Sequence, residues 1–556
     1  MVRRILKSLS APVRGLHQAA YLLALLTLAS QILALTRDRI FAYQFGAGAT
    51  LDLYYAAFKI PDVVFALVAS LVSAYVLIPR IANASKEDSR KLIAHATSFL
   101  LIGGALVCIV LGIFAPTILF ALFPTFKNSV HAHEFVMLAR ILLIQPILLG
   151  LSGIFTSVTQ IHRRFVLFAL SPVLYNIGII FGTVVLYPHY GLVGIGYGVV
   201  LGAVLHVAIH IPIIAGAGLF PRVVLPSPKV IWSIAKDSIP RSLALSMGSV
   251  ITLLLISLAS RVSEGAVSVY TLAGNLEAVP LSLIGASYAT AAFPVMAEHM
   301  HEKRLHDYKI TLTAAARHII FWSAVITVLT IVLRAYIVRV VYGTGAFDWN
   351  DTRLTAAVLA ILVVGLMAQG LILLSARAFY AAQKSWNPLI VQLADFGVSV
   401  GCAYGLVKLA ETNPGLRYFV ESLFRVGDVQ GTSVLFIAIG ATIGQVLMGI
   451  VALITLRTVA RNVASTLLRP MFEGFGAAIL GGAATYGVLS FTGTLAPLTR
   501  LSAVFLEGAV AGIVGLVVAG FVLSLLENQE YRDLVESLRK LTTKALKPYG
   551  LPHENP

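Results

Sequence analysis

The chain has 556 residues, 58% of them hydrophobic and only 12% charged, with a formal net charge of +16. Soluble domains carry about 25% charged residues, so a mean hydropathy of +0.89 excludes a water-soluble fold. The cations sit mainly in short loops between apolar runs, which argues against nucleic acid as a partner, and Cys108 and Cys402 both lie inside apolar runs, which implies neither a disulfide framework nor a metal cluster.

Taken in order, Arg3, Arg4 and Lys7 precede the first apolar run, and Leu28-Ala29-Ser30 resembles a signal-peptidase site. The apolar pattern continues past Ser30, so an uncleaved first helix is expected. Runs long enough to cross a bilayer, about 20 residues each, fall near 18–45, 61–82, 93–122, 134–160, 165–187, 191–217, 236–260, 266–297, 310–342, 352–383, 387–409, 432–456, 473–495 and 501–527. The expected fold is an all-α polytopic membrane protein with about fourteen transmembrane helices. Pro146, Pro172, Pro240, Pro280, Gly285 and Gly440 interrupt these helices, as helices bending around a cavity require, although close packing of small residues reads the same way.

The loops alternate in charge. One set carries Arg80, Lys86, Arg90 and Lys91; Arg163 and Arg164; Arg222 and Lys229; Lys303 and Arg304; Lys384; and Arg461 and Arg469. The opposite set holds only Lys59, Lys127, Arg261, Arg353, Arg417, Arg425 and Arg500. The positive-inside rule therefore places both termini in the cytoplasm. Residues 530–546 set Leu534, Leu538, Leu541 and Ala545 on one face, with Arg532, Arg539, Lys540 and Lys544 elsewhere, which reads as a helix on an anionic leaflet or a solvated tail. Residues 414–426 read as a shorter interfacial helix on the outer side. A short internal echo relates Ala49–Pro61 to Gly265–Pro280, with Tyr54 and Ala57 answered by Tyr270 and Ala273, and suggests two six-helix halves. The expected organisation is a lobe over 1–217, a cytoplasmic linker over 218–235, a second lobe over 236–460, two further helices within 473–527, and a cytoplasmic tail over 528–556.

An ionisable group inside a span is a functional candidate, because inserting it costs roughly 2.5–3.5 kcal/mol. The first span ends in Arg37, Asp38 and Arg39; the second begins after Asp52 and Lys59; Asp237 and Arg241 open the seventh; Glu277, Arg317 and Asp395 lie in the eighth, ninth and eleventh. One reading is a polar cavity between the halves that holds an anionic head group. The other is structural ion pairing, with snorkelling near span ends, and it weighs equally for Arg39, Lys59 and Asp237. Glu277 and Asp395 lie deeper and point to function. His206 and His210 have metal-compatible helical spacing but no acidic or cysteine companion, so no metal is expected. No soluble catalytic motif stands out and no Walker A sequence occurs, so the chain reads as a transporter rather than an enzyme. An ion gradient, the membrane potential or product consumption would drive it.

Residues 45–61, FGAGATLDLYYAAFKIP, follow directly on TRDRI at 36–40; SPVLYN at 171–176, VYGTGAF at 341–347 and RAFYAAQKSWNP at 377–388 come after in order. These segments strongly resemble the MurJ (MviN) family of lipid II flippases, part of the superfamily of multidrug and oligosaccharidyl-lipid exporters. The resemblance implies a monomer without cofactor in the bacterial inner membrane. It implies movement of lipid II, the undecaprenyl-diphosphate-linked peptidoglycan precursor, to the outer leaflet by alternating access of two lobes. It also implies a groove for the lipid tail formed by 473–527. Arg37, Asp38 and Asp52 match the family pattern; Ser30-Gln31, Val64-Phe65-Ala66 and Asn275 stand where the family carries arginines. The expected head-group site comprises Arg37, Asp38, Asp52, Lys59, Arg241, Asn275 and Glu277, with Arg37 and Arg241 at phosphate and Asn275 and Glu277 at sugar or peptide. The missing arginines leave open another polyprenyl-linked glycan or a drug cation as cargo. A non-transporting scaffold would have no need of buried charges.

Overall fold

The computed structural model describes residues 16–69, 71, 74–82, 84–162, 164–460, 463–493 and 500–545. The basic N-terminus, Arg163 and Arg461 lie outside the described residues, as do the side chains of Asp237, Leu538, Lys540, Leu541, Lys544 and Ala545.

In hydrocarbon every backbone N–H and C=O must find its partner within the chain, which leaves the α-helix as the local solution for each apolar run. Every regular element among the described residues is helical. The long helices are α1 Leu16–Phe45, α2 Ala49–Val64 continued by Phe65–Ala69, with Ala74–Ala82 helical again beyond it, α3 Lys86–Ile113, α4 Ala132–Ile161, α5 Val166–Tyr190, α6 Leu192–Gly216, α7 Pro228–Val262, α8 Ala266–His301, α9 Leu305–Tyr342, α10 Trp349–Ala381 and α11 Trp386–Thr412. After the short α12 Pro414–Phe424 come α13 Val434–Thr458, α14 Val463–Thr492, α15 Leu501–Leu525 and α16 Gln529–Ala545. Twelve of these, from α3 to α11 and α13 to α15, are long and apolar enough to cross a membrane. The first two expected spans fall on α1 and α2, helical but outside that set.

Two run boundaries shift for a local reason. The run at 93–122 breaks at Phe114, where a separate helix Ala115–Leu122 starts with Pro116 in its first turn, since proline lacks the N–H that would continue α3. Helix α7 begins at Pro228, inside the expected linker, again with proline in its first turn.

Wide π-type turns occur at Phe65–Ala69 in α2 and Ser282–Ala286 in α8, each downstream of an in-helix proline, Pro61 and Pro280. The two places match the spacing of the sequence echo.

Contacts group the chain into two compact units. The first takes the chain up to Asn275 with Val341–Val358 and Ser385–Gly444. Its core includes Leu77, Ile93, Leu100, Ile154, Phe155, Val158 and Ile214, and α5 packs on α6 along facing glycines. A Cβ on Gly182 would lie 2.6 Å from the Gly198 Cα, so the backbones touch as small-residue membrane interfaces do. The second unit takes Leu276–Val340, Leu359–Lys384 and the chain from Gln445 on. Its core gathers Met296, Tyr308, Ile319, Ile320, Phe379, Leu456 and Leu467, and α14 lies against α15 with Gly481 facing Gly515.

Candidate functional site

Helix α1 carries Arg37 and Asp38 at the end of an otherwise apolar run, where neighbouring helices must supply their partners. Arg37 donates from Nε and Nη2 to Asp38 Oδ1 at 2.9 and 2.7 Å, and from Nη1 to Asn176 Oδ1 on α5 at 3.0 Å. Asn275 on α8 donates from Nδ2 to Asp38 Oδ2 at 3.0 Å. Asp38 is buried with both oxygens engaged. The Arg37 side chain keeps 20% of its surface accessible. A guanidinium carries five N–H groups in a fixed fork, and three of these contacts use that fork. Its carbon lies 5.9 Å from the Phe41 ring centre, and Phe41, Tyr54, Tyr55 and Phe58 pack together beside it. The Tyr55 hydroxyl is buried without a hydrogen-bond partner among the described residues. This arrangement fixes one cation in a wall of aromatic rings, with donors remaining for an anion.

Asp52 serves elsewhere. Its Oδ2 accepts from the Gly265 N–H at 2.7 Å, and its Oδ1 accepts from the Ser268 N–H at 2.7 Å and the Ser268 hydroxyl at 2.6 Å. The Gly265 N–H immediately precedes α8 and Ser268 lies in its first turn, so Asp52 acts there as a carboxylate at a helix N-terminus, satisfying orphan N–H groups and complementing the dipole. Asp52 and Ser268 are 216 positions apart, the separation of the sequence echo. Glu264 answers it by accepting from the Ala49 N–H at the start of α2 at 3.3 Å. A third loop joins them: Asp351 accepts from the Ala47 N–H at 3.1 Å, and the Ala346 N–H donates to the Tyr43 carbonyl at 2.9 Å. Gly46 and Gly265 hold φ at +59° and +82°, and a Cβ on Gly265 would strike the Ala47 carbonyl. The FGAG loop, the α7–α8 loop and the VYGTGAF loop thus form one knot.

The remaining candidates separate. Lys59 lies 3.7 Å from Asp62 on the same helix. Arg241 sits half-buried on α7 beside Pro240. Glu277, buried within the second unit, accepts from Gln369 Nε2 at 2.5 Å, and the same nitrogen lies 3.1 Å from Gln445 Oε1. Asp395 accepts from the Ser399 hydroxyl at 2.6 Å. Arg317 pairs with Glu530 of α16. His206 lies 2.7 Å from the Ser152 hydroxyl, and both ring nitrogens of His210 meet Thr156 and Thr159 at 3.3 and 3.0 Å, as satisfied interior histidines do.

Sequence reading thus finds Arg37, Asp38 and Asn275, which the structure brings together. It passes over Asn176, Gln369 and Gln445. Their signal was a polar amide within an apolar span, and Asn176 closes the SPVLYN segment.

Residues 41–413 match the family described as lipid II flippase MurJ. The lipid II flippase MurJ of Burkholderia cenocepacia is 26% identical over 396 residues, covering 69% of this chain and 77% of that one. A solved structure, lipid II flippase MurJ in an inward closed conformation, superposes with a TM-score of 0.72 at 19% identity, covering 93% of this chain and all of that one. A multidrug resistance MATE family transporter of the MOP superfamily, in an inward-facing conformation, reaches 0.63 at 18% identity over 80% of this chain and 99% of its own; at such identity the likeness is one of fold. Matched over most of its length, and with the motif at 45–61 folded into a knot of helix ends, this chain belongs to the lipid II flippase MurJ family.

Proposed function

We propose that the chain flips lipid II from the inner to the outer leaflet of the bacterial inner membrane by alternating access. Family membership supports the cargo. The observation that carries the reading is Arg37, held among Asp38, Asn176 and aromatic rings with part of its fork accessible. A diphosphate is bound best by charge-assisted bonds from such a fork. Asp38 and Asn176 position the guanidinium; Asn275, Lys59 and Arg241 border the head group; Glu277, with Gln369, meets sugar or peptide. Asp52 contributes by holding α8 rather than by touching cargo. The lobes are 1–217 and 236–460, the spans number fourteen, both termini face the cytoplasm, and the pair within 473–527 receives the lipid tail. On that topology the knot of three loops lies at the outer end of the first lobe.

The test is lipid II accessibility at the outer leaflet of flippase-depleted cells. Wild type restores it, and Arg37→Ala at equal protein level does not. Full restoration by that variant overturns the assignment of Arg37.

A further inference from the structure

The connection between α6 and α7 is a cytoplasmic loop on the proposed topology, yet it is apolar where it is most exposed. Leu225 is 89% exposed, Val223 67% and Trp232 63%, and Phe220 is exposed as well. A loop facing water has little reason to present such side chains, and contiguous exposed apolar surface marks an interaction site.

The backbone explains the direction of these groups. The Val224 N–H donates to the Ser98 hydroxyl at 2.9 Å, and the Ser227 N–H donates to His95 Nδ1 at 3.3 Å. Both acceptors lie on α3, so one edge of the extended segment is fixed to that helix. Val223 and Leu225 flank the tethered Val224 and stay exposed. Pro221, Pro226 and Pro228 stiffen the segment. Arg80 then fixes the start of α7, donating from Nη1 to the Ser233 hydroxyl at 3.2 Å and from Nη2 to the Ser233 carbonyl at 2.5 Å. Trp232 sits there, ahead of the apolar span that begins at Ser238. Tryptophan concentrates at that depth, where the membrane meets water.

Two further observations name the occupant. Leu201, Val204 and Ile211 are exposed on α6 and lead directly to the loop, so its apolar face continues the lipid-facing surface of a span. Arg222, Lys229 and Lys236 are exposed among the apolar groups, and cations beside the cytoplasmic leaflet attract anionic lipid.

We propose that residues 220–232 form a membrane strap, lying in the headgroup layer of the inner leaflet and binding anionic phospholipid. The choice of leaflet rests on the topology proposed above; the membrane contact does not. The strap ties the connection between the two lobes to the bilayer, so its depth responds to the charge of the leaflet.

The experiment uses the full chain with Cys108→Ser and Cys402→Ser, spin-labelled at Leu225→Cys or Val223→Cys, in phosphatidylcholine vesicles with or without phosphatidylglycerol. Collision with oxygen is compared with collision with a water-soluble nickel chelate. Oxygen prevails if the strap is in the membrane, and its excess grows severalfold with phosphatidylglycerol. Arg222→Glu with Lys229→Glu removes that growth. Prevailing nickel collisions would mean an aqueous loop, and low values for both would mean a protein partner; either outcome overturns the strap. Oxygen excess indifferent to phosphatidylglycerol overturns the anionic preference. A cysteine at Lys303, labelled by an impermeant reagent from one side, reports the leaflet separately.

Discussion

Arg37 and Asp38 are adjacent in sequence, and the structure makes them a unit by adding one amide from α5 and one from α8. Truncating Asn176 to leucine removes an acceptor from the guanidinium without removing its charge. The expected result is lower flipping at unchanged thermal stability of the purified protein, read as outer-leaflet lipid II in complemented cells. Asp52 carries the opposite expectation. Asp52→Ala leaves the Gly265 and Ser268 donors unmet in a buried place, and the loss is about 1–3 kcal/mol, visible as a lower midpoint in thermal unfolding; an unchanged midpoint would contradict the capping role. Gly265→Ala adds a strained φ and a backbone collision, and the same measurement should show a loss of about 1–3 kcal/mol.

Helix ends and faces decide the packing of elements. Helix α16 is held at its first turn: Glu530 pairs with Arg317, Asn528 donates to Glu473 at 2.8 Å, and Tyr531 packs on Gly520. The amphipathic pattern alone pointed to a membrane-bound helix with a solvated tail as its alternative, and neither reading contains the partner on α9. Arg317→Ala should release this turn, so that limited proteolysis cuts after Leu526 sooner than in wild type. The turn after helix α12 is tied by Arg353, whose Nη1 and Nη2 donate to the two oxygens of Asp428 at 2.7 and 2.6 Å. That hydrogen-bonded guanidinium holds the Asp428 carboxyl below its ordinary value. The native state therefore binds its proton later than the unfolded chain. The contribution is complete above the ordinary carboxylate value and disappears as pH falls through the lowered one. In Asp428→Asn, the part of the acid sensitivity due to this pair should be absent from a pH series of unfolding midpoints.

For the whole molecule, the alternation of loop charge and the helix count are one claim. A fluorescent protein fused after Pro556 should mature in the cytoplasm, and alkaline phosphatase at the same point should stay inactive; the reverse result would break the proposed topology and place the knot at the inner end.

Composition and run length determined the fold class by themselves, because lipid leaves an apolar run of about twenty residues little choice but a helix. The internal echo was legible too, since a repeated loop needs the same glycine, the same helix start and a nearby proline wherever it occurs. What each charge does was decided only by tertiary structure. Arg37 and Asp52 look alike as polar residues flanking spans, yet one lies among aromatic rings with its fork partly open and the other closes on the N-terminus of α8. The physical reason is that a charge in lipid must find its partners across helices, and the identity of those partners lies some 140 to 240 positions away in sequence, at Asn176 for Arg37, at Asn275 for its neighbour Asp38 and at Ser268 for Asp52.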